Sequence, residues 1–225
     1  MHTPPPTPPL TDAGAPLSPL IHLLDDDAAV RDSLALLLST VGLRVQTWAD
    51  PQTFLDRFAR DSIGAIVLDV RMPGISGLTV LDTLVAQGVD QPVILLTGHG
   101  TVDMCRRAFK AGAAEFLEKP VNDEALIEAL QQAIRQHVKS RERNATNRQA
   151  RERYAQLSER EREVLGLIVA GLTNKEIGRA LDLSPRTVET HRANLFANLF
   201  AKLQAESLAQ LIRHYALLVD ENPAP

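Results

Sequence analysis

The chain has 225 residues, a formal net charge of −4 and a single cysteine, Cys105. This length provides for one large domain or two modest ones. The single cysteine excludes an internal disulfide and argues against a metal site built from cysteines, which fits the reducing conditions of a cytoplasm. The total charge gives no reason to expect nucleic-acid binding, so such an expectation has to rest on a motif.

The charge is unevenly distributed, which suggests separate modules. Residues 20–134 carry a net charge of −7, residues 135–153 carry +5 and residues 154–225 carry −1. Residues 1–19 are rich in proline and are expected to form a disordered tail. No apolar run approaches ~20 residues, and the N-terminus lacks a basic stretch followed by an apolar one. We therefore expect neither a membrane span nor a secretory signal, and a cytoplasmic location.

Strands and helices are predicted to alternate over the first large module. Short apolar runs typical of buried parallel strands alternate with helical patterns. The predicted strands are 20–24, 43–48, 64–69, 92–97 and 114–118, and the predicted helices are 28–41, 51–61, 77–87, 101–111 and 123–138. Such alternation predicts an α/β fold in which helices cover both faces of a parallel sheet. The highly charged segment 135–153 is expected to continue the fifth helix.

Only helices are predicted beyond Leu157. Ser158 and Glu161 have the spacing of a capping box, Gly171 ends the helix that they begin, and Thr173 caps the next helix. The apolar side of that second helix is predicted to consist of Ile177, Ala180 and Leu181.

A third helix is predicted to start at Ser184-Pro185, and a last helix covers 206–218. The second and third helices, joined by a short turn, form a predicted helix-turn-helix. The predicted segments are thus a tail at 1–19, an α/β domain at 20–138, a charged helical linker at 139–153, an all-α domain at 154–219 and a tail at 220–225.

Acidic side chains follow two of the predicted strands. Asp25 and Asp26 come directly after the first strand, and Asp69 ends the third. Ligands of open α/β sheets bind beyond the carboxyl ends of the strands, so these groups are expected to meet there. Two full charges ~4 Å apart at an effective dielectric of ~20 repel by about 4 kcal/mol, which a divalent cation would relieve. We expect Mg²⁺, a hard cation that prefers oxygen ligands.

Several motifs in order resemble a two-component response regulator of the LuxR/FixJ type, over about residues 20–218. The first half is similar to a receiver domain at Leu24–Asp27, Leu68–Gly77, Leu96–Gly100 and Lys110–Pro120. The second half is similar to the family's DNA-binding domain at Leu157–Leu165, Gly171–Ile177 and Leu183–Arg192. The resemblance implies a flavodoxin-like receiver with five parallel strands, followed by an all-α helix-turn-helix domain. It also implies a histidine kinase, promoter DNA and RNA polymerase as partners.

The resemblance assigns roles to residues of the first domain. Asp69 is the expected phospho-acceptor, with Lys119 and Thr97 contacting phosphoryl oxygens. The expected ligands of Mg²⁺ are Asp26, Asp69 and the Arg71 carbonyl, with Asp25 acting through water. Thr97 and Phe116 form the expected switch, which changes the face of the fourth helix and fifth strand and favours a homodimer.

Each of these residues also has a plainer interpretation. Thr97 could be an ordinary strand-end residue, Lys119 a solvated loop lysine and Phe116 a core aromatic. Asp27 is expected to cap a helix and is left out of the metal site, and Cys105 is expected to pack inside a helix. Asp50 is expected to cap the second helix, with Pro51 at its first position.

The second domain is expected to contact DNA through the N-terminal part of the third helix. The expected contacts to bases and phosphates are made by Lys175, Arg186, Thr187, Glu189, Thr190, His191, Arg192, Ala193 and Asn194. Of these, Glu189 can accept a hydrogen bond from cytosine and Asn194 can pair with adenine. Lys175, Arg186 and Arg192 suit phosphates, which position the helix without specifying sequence.

Four residues are duplicated in tandem near the end of this helix, as Ala193–Phe196 and Ala197–Phe200. Four helical residues turn ~400° and rise ~6 Å, so the apolar face is rotated by only about 40°. The last helix, which helps to pair DNA-binding domains in the family, is expected to move by about one turn. This leaves an alternative function, a receiver that accepts phosphate or docks a partner beside an impaired DNA-binding domain.

An enzyme is not expected. The aspartyl-phosphate phosphohydrolases commonly have an Asp-x-Asp motif at the nucleophile, and the corresponding residues here are Asp69-Val70-Arg71. The C-terminal helices would also have no role in such an enzyme.

Overall fold

The computed structural model describes residues 19–98, 100–182 and 197–221. The chain divides into two compact units, Met1–Ser140 and Arg141–Pro225. Within the described ranges, no helix combines the length and the apolar character that crossing a bilayer requires.

The first unit contains a five-stranded parallel sheet, as predicted. Its strands are β1 (Leu20–Leu24), β2 (Arg44–Trp48), β3 (Gly64–Asp69), β4 (Val93–Thr97) and β5 (Glu115–Glu118), in the spatial order β2-β1-β3-β4-β5. The helices that begin in this unit are α1 (Ala28–Thr40), α2 (Pro51–Arg57), α3 (Gly77–Ala86), α4 (Val102–Lys110) and α5 (Asp123–Ala155), the last of which continues into the second unit. Two separate clusters of buried apolar side chains, packed between helices and sheet, form the core. The predicted continuation of the fifth helix through the charged segment is confirmed.

Helix α2 ends four residues earlier than predicted. Phe58 leaves the helix with an extended backbone, at φ −67° and ψ 149°. Its ring is 5% exposed and stacks on Phe54, with 4.6 Å between ring centroids. Burial of Phe58 against Phe54 and His22 therefore outweighs continuation of a short helix. His22 lies in this aromatic cluster, where burial lowers its pKa to about 4.

Polar caps begin the helices that flank the candidate site. Asp27 accepts a hydrogen bond from the backbone of Ala29 at 2.8 Å, and Asp50 accepts one from Thr53 at 2.7 Å with Pro51 in the first helical position. Both residues match their predicted capping roles. The capping role of Asp27 also explains why this carboxylate is directed at α1.

All regular secondary structure in the described residues of the second unit is helical, as predicted. It contains α6 (Glu159–Val169), α7 (Asn174–Ala180), the helical residues 197–203 (α8) and α9 (Leu208–Glu221). Capping boxes begin α6 at Ser158 and α7 at Thr173, which confirms both predicted caps. Helix α9 starts two residues later than predicted because the Ser207 hydroxyl accepts a hydrogen bond from the Gln210 N–H and caps the first turn.

The apolar side of α7 is narrower than predicted. Ile177 and Leu181 are 5% and 6% exposed and pack in the core of the second unit, whereas Ala180 is exposed. A helix of seven residues presents less than two full turns, so only positions four apart face the core together.

One ion pair joins the start of α6 to α8. The Lys202 ammonium lies 2.7 Å from Oε1 and 2.8 Å from Oε2 of Glu161. Glu161 also accepts hydrogen bonds from the backbone and hydroxyl of Ser158, at 2.8 and 2.9 Å. The Glu161 side chain is 8% exposed, so one nearly buried carboxylate both completes the capping box and holds α8.

Replacing Glu161 with glutamine should destabilise the second unit in a pH-dependent way. Burial raises the pKa of Glu161, but the hydrogen bonds and charge of Lys202 and Ser158 outweigh this and leave the pKa below its ordinary 4.5. The carboxylate therefore contributes stability above that pH, and the contribution disappears as the pH falls below it. We expect Glu161→Gln to lower the free energy of unfolding by about 1 kcal/mol at pH 7 and much less at pH 3, as measured by calorimetry.

Glu163→Gln is the matched control. Glu163 pairs with Arg160 on the surface of the same helix, where both side chains are more than 40% exposed. Its loss should change stability by only a few tenths of a kcal/mol. An effect of Glu161→Gln that is equally large at pH 3 and pH 7 would contradict the assigned role of the charge.

Candidate phospho-acceptor site

Four side chains of the predicted site gather at the carboxyl edge of the sheet. Asp25 follows β1, Asp69 ends β3, Thr97 ends β4 and Lys119 follows β5. These strands are neighbours in the sheet and run parallel, so their carboxyl ends lie at the same edge. The backbone N–H of Lys119 donates to the Thr97 carbonyl at 2.7 Å, which fixes the lysine loop against the end of β4.

The Lys119 ammonium lies between two carboxylates. Its Nζ is 2.6 Å from Asp25 Oδ2 and 2.7 Å from Asp69 Oδ1. Asp25 and Asp69 are 1% and 4% exposed, whereas the lysine side chain keeps 22% of its surface in solvent. The cation thus offsets repulsion between two buried anions that come from different strands.

The remaining carboxylate oxygens are oriented by backbone donors. Oδ1 of Asp25 accepts from the Asp27 N–H at 3.0 Å, and Oδ2 of Asp69 accepts from the Arg71 N–H at 3.0 Å. The structure therefore places the Arg71 backbone against Asp69, while the assignment of its carbonyl as a metal ligand stays a prediction.

The three predicted acidic ligands come together. Asp25, Asp26 and Asp69 each place one carboxylate oxygen within 4.8 Å of the others, with Asp26 exposed and the other two buried. Oxygen donors arranged in this way fit a hard divalent cation such as Mg²⁺, and the exposed Asp26 provides access from solvent. The donor set therefore suits the predicted cofactor.

Burial and charge shift the pKa values of Asp69 and Lys119. Burial raises the pKa of Asp69, and the charge of Asp25 adds to this while Lys119 opposes it. Burial alone would lower the pKa of the Lys119 ammonium, but its hydrogen bonds to Asp25 and Asp69 outweigh this and leave the pKa above its ordinary value. Lys119 is therefore a permanent positive charge at neutral pH.

The loop after Asp69 needs a glycine where it meets α3. The Gly77 N–H donates to the Val70 carbonyl at 3.1 Å. A Cβ at position 77 would lie 2.2 Å from the Asp69 carbonyl oxygen, a contact that no side chain allows. Gly77 thus lets the first turn of α3 approach the backbone of Asp69.

The two predicted switch residues are neighbours. Thr97 is fully buried, and its hydroxyl donates to the Met104 sulfur at 3.8 Å. Phe116 lies on β5, partly buried against the core. Both side chains border Gly100, where an added Cβ would lie 3.3 Å from the Phe116 ring and 3.6 Å from the Thr97 methyl group.

Sequence reasoning missed Met104 and Gly100. Met104 lies outside the motifs, and Gly100 ends the motif Leu96–Gly100 without an assigned role. Each becomes relevant because α4 and its preceding loop fold over the end of β4. His99, which lies beside them in the chain, is outside the described residues.

Most of the predicted DNA contacts lie outside the described residues. Lys175 is described and stands exposed in the first turn of α7, where it can reach solvent or a phosphate. The other candidates fall in the undescribed stretch 183–196: Arg186, Thr187, Glu189, Thr190, His191, Arg192, Ala193 and Asn194.

Two family models match the chain, one for each unit. The model for the response regulator receiver domain matches residues 21–131. The model for bacterial regulatory proteins of the luxR family matches residues 155–215. The order and extent of the two matches agree with the two units of the structure.

The chain is similar over most of its length to curated transcriptional regulators. The transcriptional regulatory protein FixJ of Bradyrhizobium diazoefficiens is 44% identical over 193 residues, which cover 86% of this chain and 92% of that protein. The tetrathionate response regulatory protein TtrR of Salmonella typhimurium is 40% identical over 195 residues, which cover 87% and 91%. These relatives are regulators, not enzymes.

Solved structures lead to the same family. The response regulator StyR, 36% identical, matches with a TM-score of 0.77 over 89% of this chain and 99% of that one. Full-length FixJ from B. japonicum, 42% identical, matches with a TM-score of 0.56 over 89% and 97%. The chain therefore belongs to the LuxR/FixJ-type response regulators, with a receiver domain followed by a LuxR-type helix-turn-helix DNA-binding domain.

Proposed function

We propose that a histidine kinase phosphorylates Asp69, and that this promotes dimerisation of the receiver and sequence-specific binding to promoter DNA. The DNA-bound dimer then regulates transcription by RNA polymerase in the cytoplasm. The observation that carries the proposal is the Lys119 ammonium held 2.6 and 2.7 Å from Asp25 and Asp69 at the carboxyl edge of the sheet. Membership of a family of transcriptional regulators supports the second half.

The phosphoryl transfer follows from the arrangement of these side chains. An oxygen of Asp69 attacks the phosphorus of a phosphohistidine, the N–P bond breaks with its electrons going to the imidazole, and an acyl phosphate forms. Such a transfer depends mainly on positioning and on neutralising charge. Lys119 supplies a positive charge beside Asp69, and the Arg71 N–H holds the Oδ2 oxygen in place. Asp26, Asp69 and the Arg71 carbonyl would hold Mg²⁺, with Asp25 acting through water, and the bound ion would supply further neutralisation of phosphoryl charge.

The switch begins with the charge that phosphorylation adds. The product carries roughly −1.5 to −2 charges and three strong acceptor oxygens at pH 7. The Thr97 hydroxyl leaves the weak Met104 sulfur acceptor for a phosphoryl oxygen, and Phe116 moves into the space beside Gly100. The face of α4 and β5 changes shape as a result.

That face already presents apolar groups to solvent. Val102 and Phe109 are 76% and 51% exposed and stand seven residues apart on α4, so they lie on the same side of the helix. Exposed apolar residues grouped on one surface are typical of an interaction site. They support the proposal that this surface pairs two receivers.

Removing one acidic group should weaken Mg²⁺ binding. The only tryptophan, Trp48, pairs with Leu24 in the sheet, and its backbone carbonyl accepts a hydrogen bond from the Asp25 N–H. Its fluorescence therefore reports on this loop. We expect Asp26→Asn to raise the dissociation constant of Mg²⁺ roughly tenfold or more, because the substitution removes one negative charge that attracts the cation. Asp27→Asn is the control, because asparagine caps a helix equally well and Asp27 is not a ligand. Equal loss in both variants would contradict the assigned site.

DNA binding should depend on Asp69. With Mg²⁺ and a small phosphodonor, we expect the wild type to bind a fragment of a genomic pool at least about tenfold more tightly than without the donor. Asp69→Asn should show no such gain, because the acceptor oxygen is replaced by an amide. Gel shifts measure binding, and intact mass measures phosphorylation. No binding in any state, with Asp69 phosphorylated, would contradict the proposal and favour a receiver that only docks a partner.

A charge on α4 should prevent dimerisation without preventing phosphorylation. We expect Val102→Lys to weaken the phosphorylated dimer by at least about tenfold in sedimentation velocity, because it buries a charge at the proposed surface. Leu36→Lys is the matched control, since Leu36 is 68% exposed on α1. Dimerisation that survives Val102→Lys but fails in Leu36→Lys would contradict the assignment of the α4 face.

A further inference from the structure

The hydroxyl of Thr97 donates its hydrogen to a sulfur atom. Thr97 ends β4 with a fully buried side chain, and its hydroxyl donates to the Met104 sulfur at 3.8 Å. A hydroxyl group has a single hydrogen, so it cannot donate to this sulfur and to a phosphoryl oxygen on Asp69 at the same time. The contact with Met104 and the contact that the proposed switch requires therefore exclude each other.

The sulfur of Met104 is a weak acceptor, which makes this competition reversible. A thioether sulfur accepts hydrogen bonds less strongly than an oxygen atom does. A phosphoryl oxygen carries negative charge, and charge-assisted hydrogen bonds are roughly twice as strong as neutral ones. A phosphoryl group on Asp69 would therefore displace the sulfur, while Met104 holds the hydroxyl when that group is absent.

The start of α4 determines where the sulfur lies. Met104 is the third residue of α4, and its N–H donates to the Thr101 hydroxyl, which caps the helix, at 3.2 Å. The Cys105 N–H donates to the Thr101 carbonyl at 3.0 Å and closes the same turn. Because long side chains on a helix lean toward its N-terminus, this turn directs the thioether of Met104 back toward Thr97.

The rest of the Met104 side chain contributes to packing. It is partly buried against the core cluster that contains Leu68, Leu95 and Ala108. Leucine is apolar and similar in volume to methionine, but it has no acceptor atom. A substitution by leucine therefore removes the hydrogen bond and retains most of the packing, so the two contributions of Met104 can be separated.

The turn that carries Met104 also carries an apolar residue of the proposed dimer surface. Val102 is the first residue of α4 and is 76% exposed. Because Val102 and Met104 belong to one capped turn, the Met104 contact restrains the position of Val102 as well. Release of the Thr97 hydroxyl from the sulfur would free this part of α4 to move.

We propose that Met104 is a positioning residue that sets the threshold of the phosphorylation switch. Its sulfur holds the Thr97 hydroxyl and the first turn of α4 in the unphosphorylated arrangement. The inference rests on the proposed phosphorylation of Asp69. A reaction that requires a minor arrangement of the protein proceeds in proportion to the population of that arrangement. The strength of one O–H···S hydrogen bond therefore determines how readily Asp69 is phosphorylated.

The first experiment weakens or strengthens the acceptor in the full chain. A hydrogen bond of ordinary net strength changes an equilibrium constant roughly two- to tenfold, and sulfur lies at the low end. We therefore expect Met104→Leu to speed phosphorylation of Asp69 about threefold. Met104→Gln offers an amide oxygen, a stronger acceptor on a side chain of similar length, and should slow it about threefold. Intact mass follows the reaction with a small phosphodonor at a fixed Mg²⁺ concentration.

Met72→Leu is the matched control for that experiment. Met72 is 9% exposed and lies in the core cluster against which Met104 packs, so the same chemical change is made in the same core. Its phosphorylation rate should stay within ~1.5-fold of the wild type, because only packing is altered. Trp48 fluorescence should show that the first unit of both leucine variants remains folded. An acceleration by Met72→Leu equal to that of Met104→Leu would overturn the proposal.

The second experiment asks whether Met104 acts through the Thr97 hydroxyl. Thr97→Val removes the hydroxyl and keeps the shape of the side chain, and it is expected to slow phosphorylation by itself. In this background Met104→Leu should change the rate by less than ~1.5-fold, because no hydroxyl remains for the sulfur to hold. A packing effect of Met104 would be the same in both backgrounds. Equal acceleration with and without the hydroxyl would therefore contradict a positioning role.

The outcomes separate this inference from the proposed function. If Asp69 is phosphorylated at the same rate in the wild type and in both Met104 variants, the role of Met104 fails and the proposed phosphorylation stands. Acceleration by both Met104→Leu and Met104→Gln would indicate general loosening of α4 and would also overturn the role. If wild-type Asp69 accepts no phosphoryl group, the proposed function fails and the role of Met104 with it.

Discussion

The buried negative charge at the carboxyl edge of the receiver sheet has to be compensated, and contacts from several elements of the first unit provide this compensation. Asp25 and Asp69 are buried, and the Lys119 ammonium lies within 2.7 Å of both. A buried carboxylate without such a partner would lose several kcal/mol of hydration or take up a proton. Because the three groups follow three different strands, the sheet itself holds the charge balance together.

Several features of the fold keep this arrangement in place. The Lys119 N–H is bonded to the end of β4, Arg71 donates to Asp69, and Gly77 allows α3 to approach the backbone of Asp69. The proposed phosphorylation of Asp69 would disturb this balance, because an added phosphoryl group changes the charge that Lys119 faces. A site without such closely spaced, balanced charges would change less when a charge is added.

The second unit depends on a comparable buried charge. Glu161 completes a capping box and pairs with Lys202, so a single carboxylate links the start of α6 to the end of α8. Tyr215 adds a hydrogen bond from α9 to the adjacent carbonyl. These contacts hold α8, the described helical residues 197–203, against α6 and α9.

Local patterns were enough to predict much of the fold. The strands β1 and β3, the caps at Asp27 and Asp50, and both capping boxes depend on residues close in sequence, and the structure agrees with all of them. The end of α2 and the exposed side of α7 were predicted less well. There, long-range packing of Phe58 and the short length of α7 outweigh helical periodicity.

The amino-acid sequence by itself determined which chemical groups the protein has and that they follow parallel strands, which was sufficient to predict an acidic site at one sheet edge and a helix-turn-helix domain. Only the tertiary structure decided the partners: Lys119 between Asp25 and Asp69, Met104 at the Thr97 hydroxyl, and Lys202 at the Glu161 carboxylate. Each of these contacts joins residues from different elements. Local propensity cannot predict such contacts, because burial and charge compensation are set by the whole packed unit.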